Sequence, residues 1–205
     1  MDINTFYENA KNNPSDINEH VETLYNYALQ SKSVLELGVS EGNSSWGLLK
    51  GLCDNTFENK IFIQCDIREF CENVENVSKI TSEKHITHKY YGMSDLDLNL
   101  NDMTFDLTFI DTWHVYGQLK RELEKFSPIT NKYIIMHDTE IDGIQGESIR
   151  CGWNIAEYAN KFSWTENEVG DGLLQAVNEF LENHPEWKMI YQVRNNNGLT
   201  IFEKV

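Results

Sequence analysis

The sequence predicts an α/β protein, a doubly wound and mostly parallel sheet of seven strands ending in an antiparallel hairpin. Three observations carry this. Short apolar runs alternate with stretches of helical period, a glycine-bearing turn follows the first run, and an Asn-Gly turn separates two alternating runs at the far end.

Each element follows from its residues. Ile17, Val21, Leu24, Tyr25, Ala28 and Leu29 keep the helical period, with Ser15 or Asp16 available as N-cap. Ser33 to Gly38 reads as a strand, and after a turn a helix is expected from about Ser44 to Cys53. Lys60 to Asp66 is a second strand, followed by a helix over about 69–81 and a strand over 86–91. Phe105 to Asp111 is a strand, 115–126 a helix, and Tyr133 to His137 a strand. Such alternation requires right-handed crossovers and a parallel sheet covered on both faces. A helix over 171–183 then precedes Trp187 to Val193 and Leu199 to Glu203, joined by Asn195-Asn196-Asn197-Gly198. The three prolines, Pro14, Pro128 and Pro185, fall at element boundaries, and no linker or repeat divides the 205 residues, so one domain is expected.

Composition narrows the function. With 33 acidic against 17 basic residues the formal net charge is −16. Nucleic acid and anionic membranes are excluded as partners, because both are held by clustered Lys and Arg, whereas a cationic ligand or divalent metal is favoured. The 40% apolar content is that of a folded body and not of an acidic tail. Cys53, Cys65, Cys71 and Cys151 form no metal-binding spacing and read as buried, reduced thiols. The opening residues lack a basic start and an apolar stretch, and no run of about 18 apolar residues occurs, so a cytoplasmic protein without membrane insertion is expected.

In an open parallel sheet, ligands bind beyond the carboxyl ends of the strands, near the point where strand order reverses. The first turn, Glu36-Leu37-Gly38-Val39-Ser40-Glu41-Gly42-Asn43-Ser44-Ser45, is compatible with three chemistries. A dinucleotide fingerprint lacks its middle glycine here, where Ser40 stands. Gly38 to Gly42 satisfies the GxSxG nucleophile elbow, with Asp111 and His137 as formal partners, but no upstream strand is present to supply an oxyanion loop. The third reading uses Glu36 as well: a strand-end carboxylate before a Gly-x-x-x-Gly turn suits a ligand bearing an ammonium and a sulfonium, and Asp66 on the next strand can accept both hydroxyls of a ribose.

On these residues the chain resembles the class I S-adenosylmethionine-dependent methyltransferases, with their Rossmann-like fold. Val34 to Gly38 resembles the first family motif and Cys65-Asp66-Ile67 the ribose-binding strand end. Tyr91-Gly92-Met93-Ser94 resembles the loop near the adenine, with Met93 in place of an acid and Asp95 as a substitute. Asp111-Thr112-Trp113-His114-Val115-Tyr116 and His137-Asp138-Thr139 are similar to motifs of metal-dependent sugar O-methyltransferases, found free-standing or fused to glycosyltransferases, including in large DNA viruses. Ser15 to His20 and Asn196 to Ile201 are similar to the same subgroup. The resemblance implies S-adenosylmethionine as cofactor, bound by Glu36, Gly38, Ser40, Gly42, Ser44, Ser45, Asp66, Ile67, Met93, Ser94 and Asp111. It implies a sugar or glycan as acceptor, a glycosyltransferase as fused or associated partner, and a division into a helical segment (1–31), a cofactor core (32–138), an acceptor lid (139–170) and a closing helix and hairpin (171–205).

Methyl transfer to a sugar hydroxyl needs a base, or a cation that lowers the hydroxyl pKa. Asp111 and Asp138 end adjacent strands and can hold Mg²⁺ or Mn²⁺, with His137 and Glu140 as further ligands. His114 is the candidate general base, kept neutral by the positive end of the helix that follows. His20, Tyr116, Glu140, Asn196 and Asn197 are expected at the acceptor, with Trp153 and Trp164 as apolar faces for a sugar ring. His85 and His88 have the spacing of a zinc half-site, but their lysine neighbours suggest a solvated face.

Overall fold

The computed structural model describes residues 2–71, 73–100 and 102–205. Two helices, α1 (Ile3–Asn12) and α2 (Val21–Ala28), precede β1 (Ser33–Leu37), α3 (Asn43–Asp54), β2 (Ile61–Asp66), α4 (Val74–Glu83) and β3 (Thr87–Gly92). Then come β4 (Phe105–Ile110), α5 (Tyr116–Phe126), β5 (Thr130–His137) and three short helices, α6 (Glu147–Arg150), α7 (Ile155–Phe162) and α8 (Glu166–Gly170). The chain closes with α9 (Leu173–Asn183), β6 (Trp187–Val193) and β7 (Leu199–Lys204).

The seven strands form one sheet in the order β3-β2-β1-β4-β5-β7-β6. The first five pair in parallel, while β7 is antiparallel to β5 and β6 to β7, as the Asn-Gly turn requires. Every residue of β1 and β4 is buried, the signature of strands covered on both faces. One core joins α1 through α4 to one face of the sheet, and a second joins α5 and α9 to the other. Strand order reverses between β1 and β4, so the crevice opens at Leu37 and Ile110, where Asp111 follows.

Several local expectations change. Helix α1 buries Ile3, Tyr7 and Ala10 and is capped by Asp2, whereas neither Ser15 nor Asp16 caps α2, which is entered through a 3-10 turn over Asn18–His20. The helix expected from residue 69 begins at Val74. Cys65 and Cys71 are buried, but Cys53 is partly exposed and Cys151 exposed. His88 is half-buried instead of solvated, its Nε2 2.9 Å from Gln64 Oε1. Among the described residues, no helix is long and apolar enough to cross a membrane.

Candidate active site

The first turn is set by two left-handed glycines, Gly38 (φ 83°) and Gly42 (φ 82°). At Gly38 no other residue fits, because a Cβ would lie 1.7 Å from the carbonyl oxygen of Asp111. This contact joins the turn after β1 to the strand end that carries the site.

Glu36 does not face the crevice. It is fully buried and accepts hydrogen bonds from Ser44 Oγ (2.6 Å), Ser45 Oγ (2.8 Å) and Gln64 Nε2 (2.7 Å). Glu36, Ser44 and Ser45 thus form a network that ties α3 to the sheet. Burial pushes the Glu36 carboxyl up to about 7, against those three donors. Asp66 braces the same turn: Oδ2 accepts the amides of Val39 and Ser40 at 2.8 Å, and Oδ1 that of Arg68 at 2.9 Å. Ser40 has no histidine partner among the described residues, its hydroxyl lying 3.4 Å from Arg68 Nη2, so the nucleophile-elbow reading fails. Ile67 (80% exposed) and Met93 (36%) present apolar side chains at neighbouring strand ends, with Ser94 leading into the 3-10 turn Asp95–Asp97.

Asp95 is no substitute for an adenine-binding acid, since it is turned inward. Gln118 Nε2 bridges Asp95 Oδ1 (3.0 Å) and Glu122 Oε1 (2.8 Å), and Thr112 Oγ1 also donates to Glu122. Burial, followed by the charge of Asp95, holds Glu122 well above the carboxylate range. A protonated Glu122 can donate to the otherwise unpartnered Asp95 Oδ2.

Beyond β4 and β5, Asp111, His114 and Asp138 converge, each offering a ligand atom within 4.8 Å of the others. His114 Nε2 lies 3.1 Å from Asp111 Oδ1 and 3.0 Å from Asp138 Oδ2, while His137 Nδ1 is 3.5 and 3.3 Å from the same oxygens. Asp138 reaches this position from a left-handed backbone (φ 57°). His137 Nε2 donates to the carbonyl of Asn196 (3.1 Å), which turns Nδ1 toward the carboxylates.

The expected neutral His114 is corrected by its surroundings. Burial opposes a charge on the ring, but hydrogen bonds to Asp111, Asp138 and Asp142 outweigh it and hold the imidazole well above its ordinary range. A helix N-terminus contributes about 0.3–1 kcal/mol, too little against three carboxylates in contact. His137 is likewise pushed up to about 10: burial opposes this, and the charge of Asp111 with hydrogen bonds to Asp111 and Asp138 prevails.

The remaining expected acceptor residues lie elsewhere. Tyr116 is buried and donates to Glu179 Oε2 (2.7 Å). His20 is buried 5.6 Å behind the His137 ring, with Nε2 on the carbonyls of Asn195 and Asn196. Asn196 is structural: its Oδ1 takes the amide of Glu19 (3.0 Å) and its Nδ2 donates to Ser15 O (2.8 Å). The Asn197 carbonyl accepts the amides of Glu140 and Ile141, and the Glu140 side chain faces Arg194 at 3.6 Å, outside the cluster. Three residues escaped sequence reasoning: Asp142, Glu147 and Arg150, of which Asp142 stands 3.3 Å from His114 Nδ1. Their only sequence signal is an acidic and basic spacing typical of many exposed loops.

The 139–170 segment gathers aromatic rings beside this cluster. Trp113 stacks on Trp164 (centroids 5.6 Å apart) and touches Trp153, Tyr158 and Phe162, with Trp153 and Phe162 still 37% and 40% exposed.

A seven-stranded sheet with this order, a glycine turn after β1 and carboxylates beyond β4 and β5 defines the class I methyltransferase fold. The methyltransferase domain family matches residues 35–139, and the chain belongs to that family. Solved structures agree on the fold. The O-methyltransferase TomG from Streptomyces achromogenes, involved in tomaymycin synthesis and in complex with SAM, is 13% identical over 100% of this chain and 90% of its own, with a TM-score of 0.61. The SAH-bound Podospora anserina methyltransferase PaMTH1 is 12% identical over 99% and 87%, with a TM-score of 0.58. An O-methyltransferase from Bacillus cereus in complex with SAH is 14% identical over 91% and 81%, with a TM-score of 0.56. A search of curated proteins returns no match.

Proposed function

We propose that the chain is a cytoplasmic S-adenosylmethionine-dependent O-methyltransferase acting on a sugar hydroxyl of a glycan or glycoside, with a divalent metal at Asp111, Asp138 and His137. The observation that carries this is the meeting of two strand-end carboxylates and two imidazoles beside partly exposed tryptophans. Support for the cofactor comes from the S-adenosylmethionine and S-adenosylhomocysteine complexes of proteins with the same fold. The apolar side chains of Ile67 and Met93 suit the flat face of an adenine at the rim. Such a cofactor supplies an activated methyl group, leaving the protein to orient the acceptor and manage its proton.

The cluster fits a metal on its own chemistry. Among the described residues, Asp138 Oδ1 and His137 Nδ1 are buried without a hydrogen-bond partner, and the Asp111 and Asp138 carboxylates converge on both imidazoles. A bound dication would lower the pKa of a coordinated hydroxyl and take up the carboxylate charge that now holds the His114 proton. His114 Nε2, which faces Asp111 and Asp138, is the atom placed to accept the hydroxyl proton. Trp153, stacked on Tyr158 and 37% exposed, offers a ring face for the apolar side of a sugar, whereas the Trp164 ring is taken up by Trp113 and Arg121. A glycosyltransferase, which supplies the sugar acceptor, is the partner this reading favours.

Labelled methyl transfer from S-adenosylmethionine into a panel of sugars, glycosides and catechols is the direct test. Label in the sugars, lost on dialysis against EDTA and restored by Mn²⁺ or Mg²⁺, is expected. Calorimetry without cofactor binding overturns the reading. Transfer to catechols alone moves the acceptor class, and activity indifferent to EDTA removes the metal.

A further inference from the structure

Asp142 stands behind His114, on the side away from Asp111 and Asp138. Its side chain is fully buried, yet it belongs to neither strand end. Arg150 holds it with two prongs, Nε to Oδ1 at 2.6 Å and Nη2 to Oδ2 at 2.8 Å. Such a pairing fixes a carboxylate in plane and keeps it ionised. The backbone is fixed as well. The amide of Asp142 donates to Asp138 O (3.1 Å) and its carbonyl accepts from Leu173 (2.9 Å). Against that carbonyl lies Gly172, where a Cβ would come within 2.5 Å.

His114 is anchored from the same loop. Its carbonyl accepts the amide of Glu147 (2.8 Å), and its Nδ1 lies 3.3 Å from Asp142 Oδ2 but 3.7 Å from Glu147 Oε2. The Asp142 contact is bent, short of a linear hydrogen bond, as contacts of catalytic groups often are before substrate arrives. Both ring nitrogens face carboxylates and carry hydrogen in the resting protein, and when one proton is given up Asp142, which accepts and never donates, keeps the other on Nδ1. The other nitrogen, Nε2, is then the one presented to Asp111, Asp138 and the crevice.

We infer that Asp142, clamped by Arg150, is a positioning residue that fixes the orientation and tautomer of His114, so that Nε2 is the atom that exchanges a proton with the acceptor. This rests on the methyl-transfer reading for its consequence in turnover, but not for its consequence in the resting protein. Asp142→Asn keeps the shape and removes the charge; Arg150→Gln, at a side chain 40% exposed, leaves Asp142 in place and loosens it.

The expected result is a kcat at least about 100-fold lower for Asp142→Asn and about 10-fold lower for Arg150→Gln, with KM for both substrates within about threefold. Arg150→Lys, which keeps the charge without the fork, falls between wild type and Arg150→Gln. A purely structural role would instead degrade KM, cofactor affinity and turnover together, and that result overturns the inference. Should Asp142→Asn fail to fold, Arg150→Gln decides: unchanged kcat overturns the inference. If the wild type transfers no methyl group, exchange of the His114 Nδ1 hydrogen, followed by nitrogen-15 NMR, still tests the clamp. Exchange at least about tenfold faster in Arg150→Gln supports it, and an unchanged rate overturns it.

Discussion

Replacing Glu36 by Gln separates two roles for a buried acid at the end of β1. In the structure Glu36 meets the donors Ser44, Ser45 and Gln64. Its carboxyl titrates at about 7 instead of the ordinary 4.5, so between those values the folded protein holds a proton that the unfolded chain has lost. Stability therefore falls as pH rises through this window. At about 1.4 kcal/mol for each pH unit, ionising Glu36 in place costs about 3 kcal/mol once the pH is above 7. Glu36→Gln removes the ionisation and can still meet the two serine hydroxyls, which donate or accept as needed. Urea unfolding of both proteins at pH 5 and pH 8 should show the variant gaining about 2.5 kcal/mol on the wild type between the two conditions. Calorimetry should find the affinity for S-adenosylmethionine changed by less than about threefold. A stability difference independent of pH, or a hundredfold loss of affinity, would refute the assignment and return Glu36 to the ligand.

Gly38→Ala should cost at least about 3 kcal/mol in chemical denaturation, because its Cβ cannot coexist with the Asp111 carbonyl and its φ is 83°. His114→Ala should lower labelled methyl transfer about 10²–10⁴-fold while cofactor binding persists, and an unaffected rate would point to another base. His88 should make the fold acid-sensitive: burial lowers its pKa from 6.5 to about 4, so its contribution, at most about 3 kcal/mol, is present above pH 6.5 and lost as the pH falls through about 4. His88→Gln should flatten thermal stability across that range.

Much of the architecture was legible because it depends on local pattern. Buried strands such as Val34 to Leu37 and Phe105 to Ile110 are short runs dominated by apolar residues, and Asn197-Gly198 can do little but turn. Asp111, His114, His137 and Asp138 were legible for a related reason: each sits at or just beyond a strand end whose position the periodicity fixes. Asp142 and Arg150 were not, since their meaning arises from a loop that returns to the back of His114, and no periodicity encodes that return. Glu36 and Asp66 were found, but their protein partners were not. Their spacing says that they reach the first turn, and only the fold shows that Ser44, Ser45, Gln64 and the amides of Val39 and Ser40 reach them first. For His114 the sequence displays a helix dipole but hides the three carboxylates that overwhelm it.

The hairpin turn at Asn195 to Gly198 has an outcome in time as well as in space. Its carbonyls receive His20 and His137, and through Asn197 they also receive the start of the 139–170 segment, joining residues about 175 positions apart. On a ribosome, the five parallel strands can assemble while the last two are still being made, yet both imidazoles lack their acceptors until residue 196 has left the exit tunnel. Competence for chemistry is thus scheduled last. A truncated product could hold a sheet and even a glycine turn, but His20 and His137 would lack the carbonyls that receive their Nε2 hydrogens.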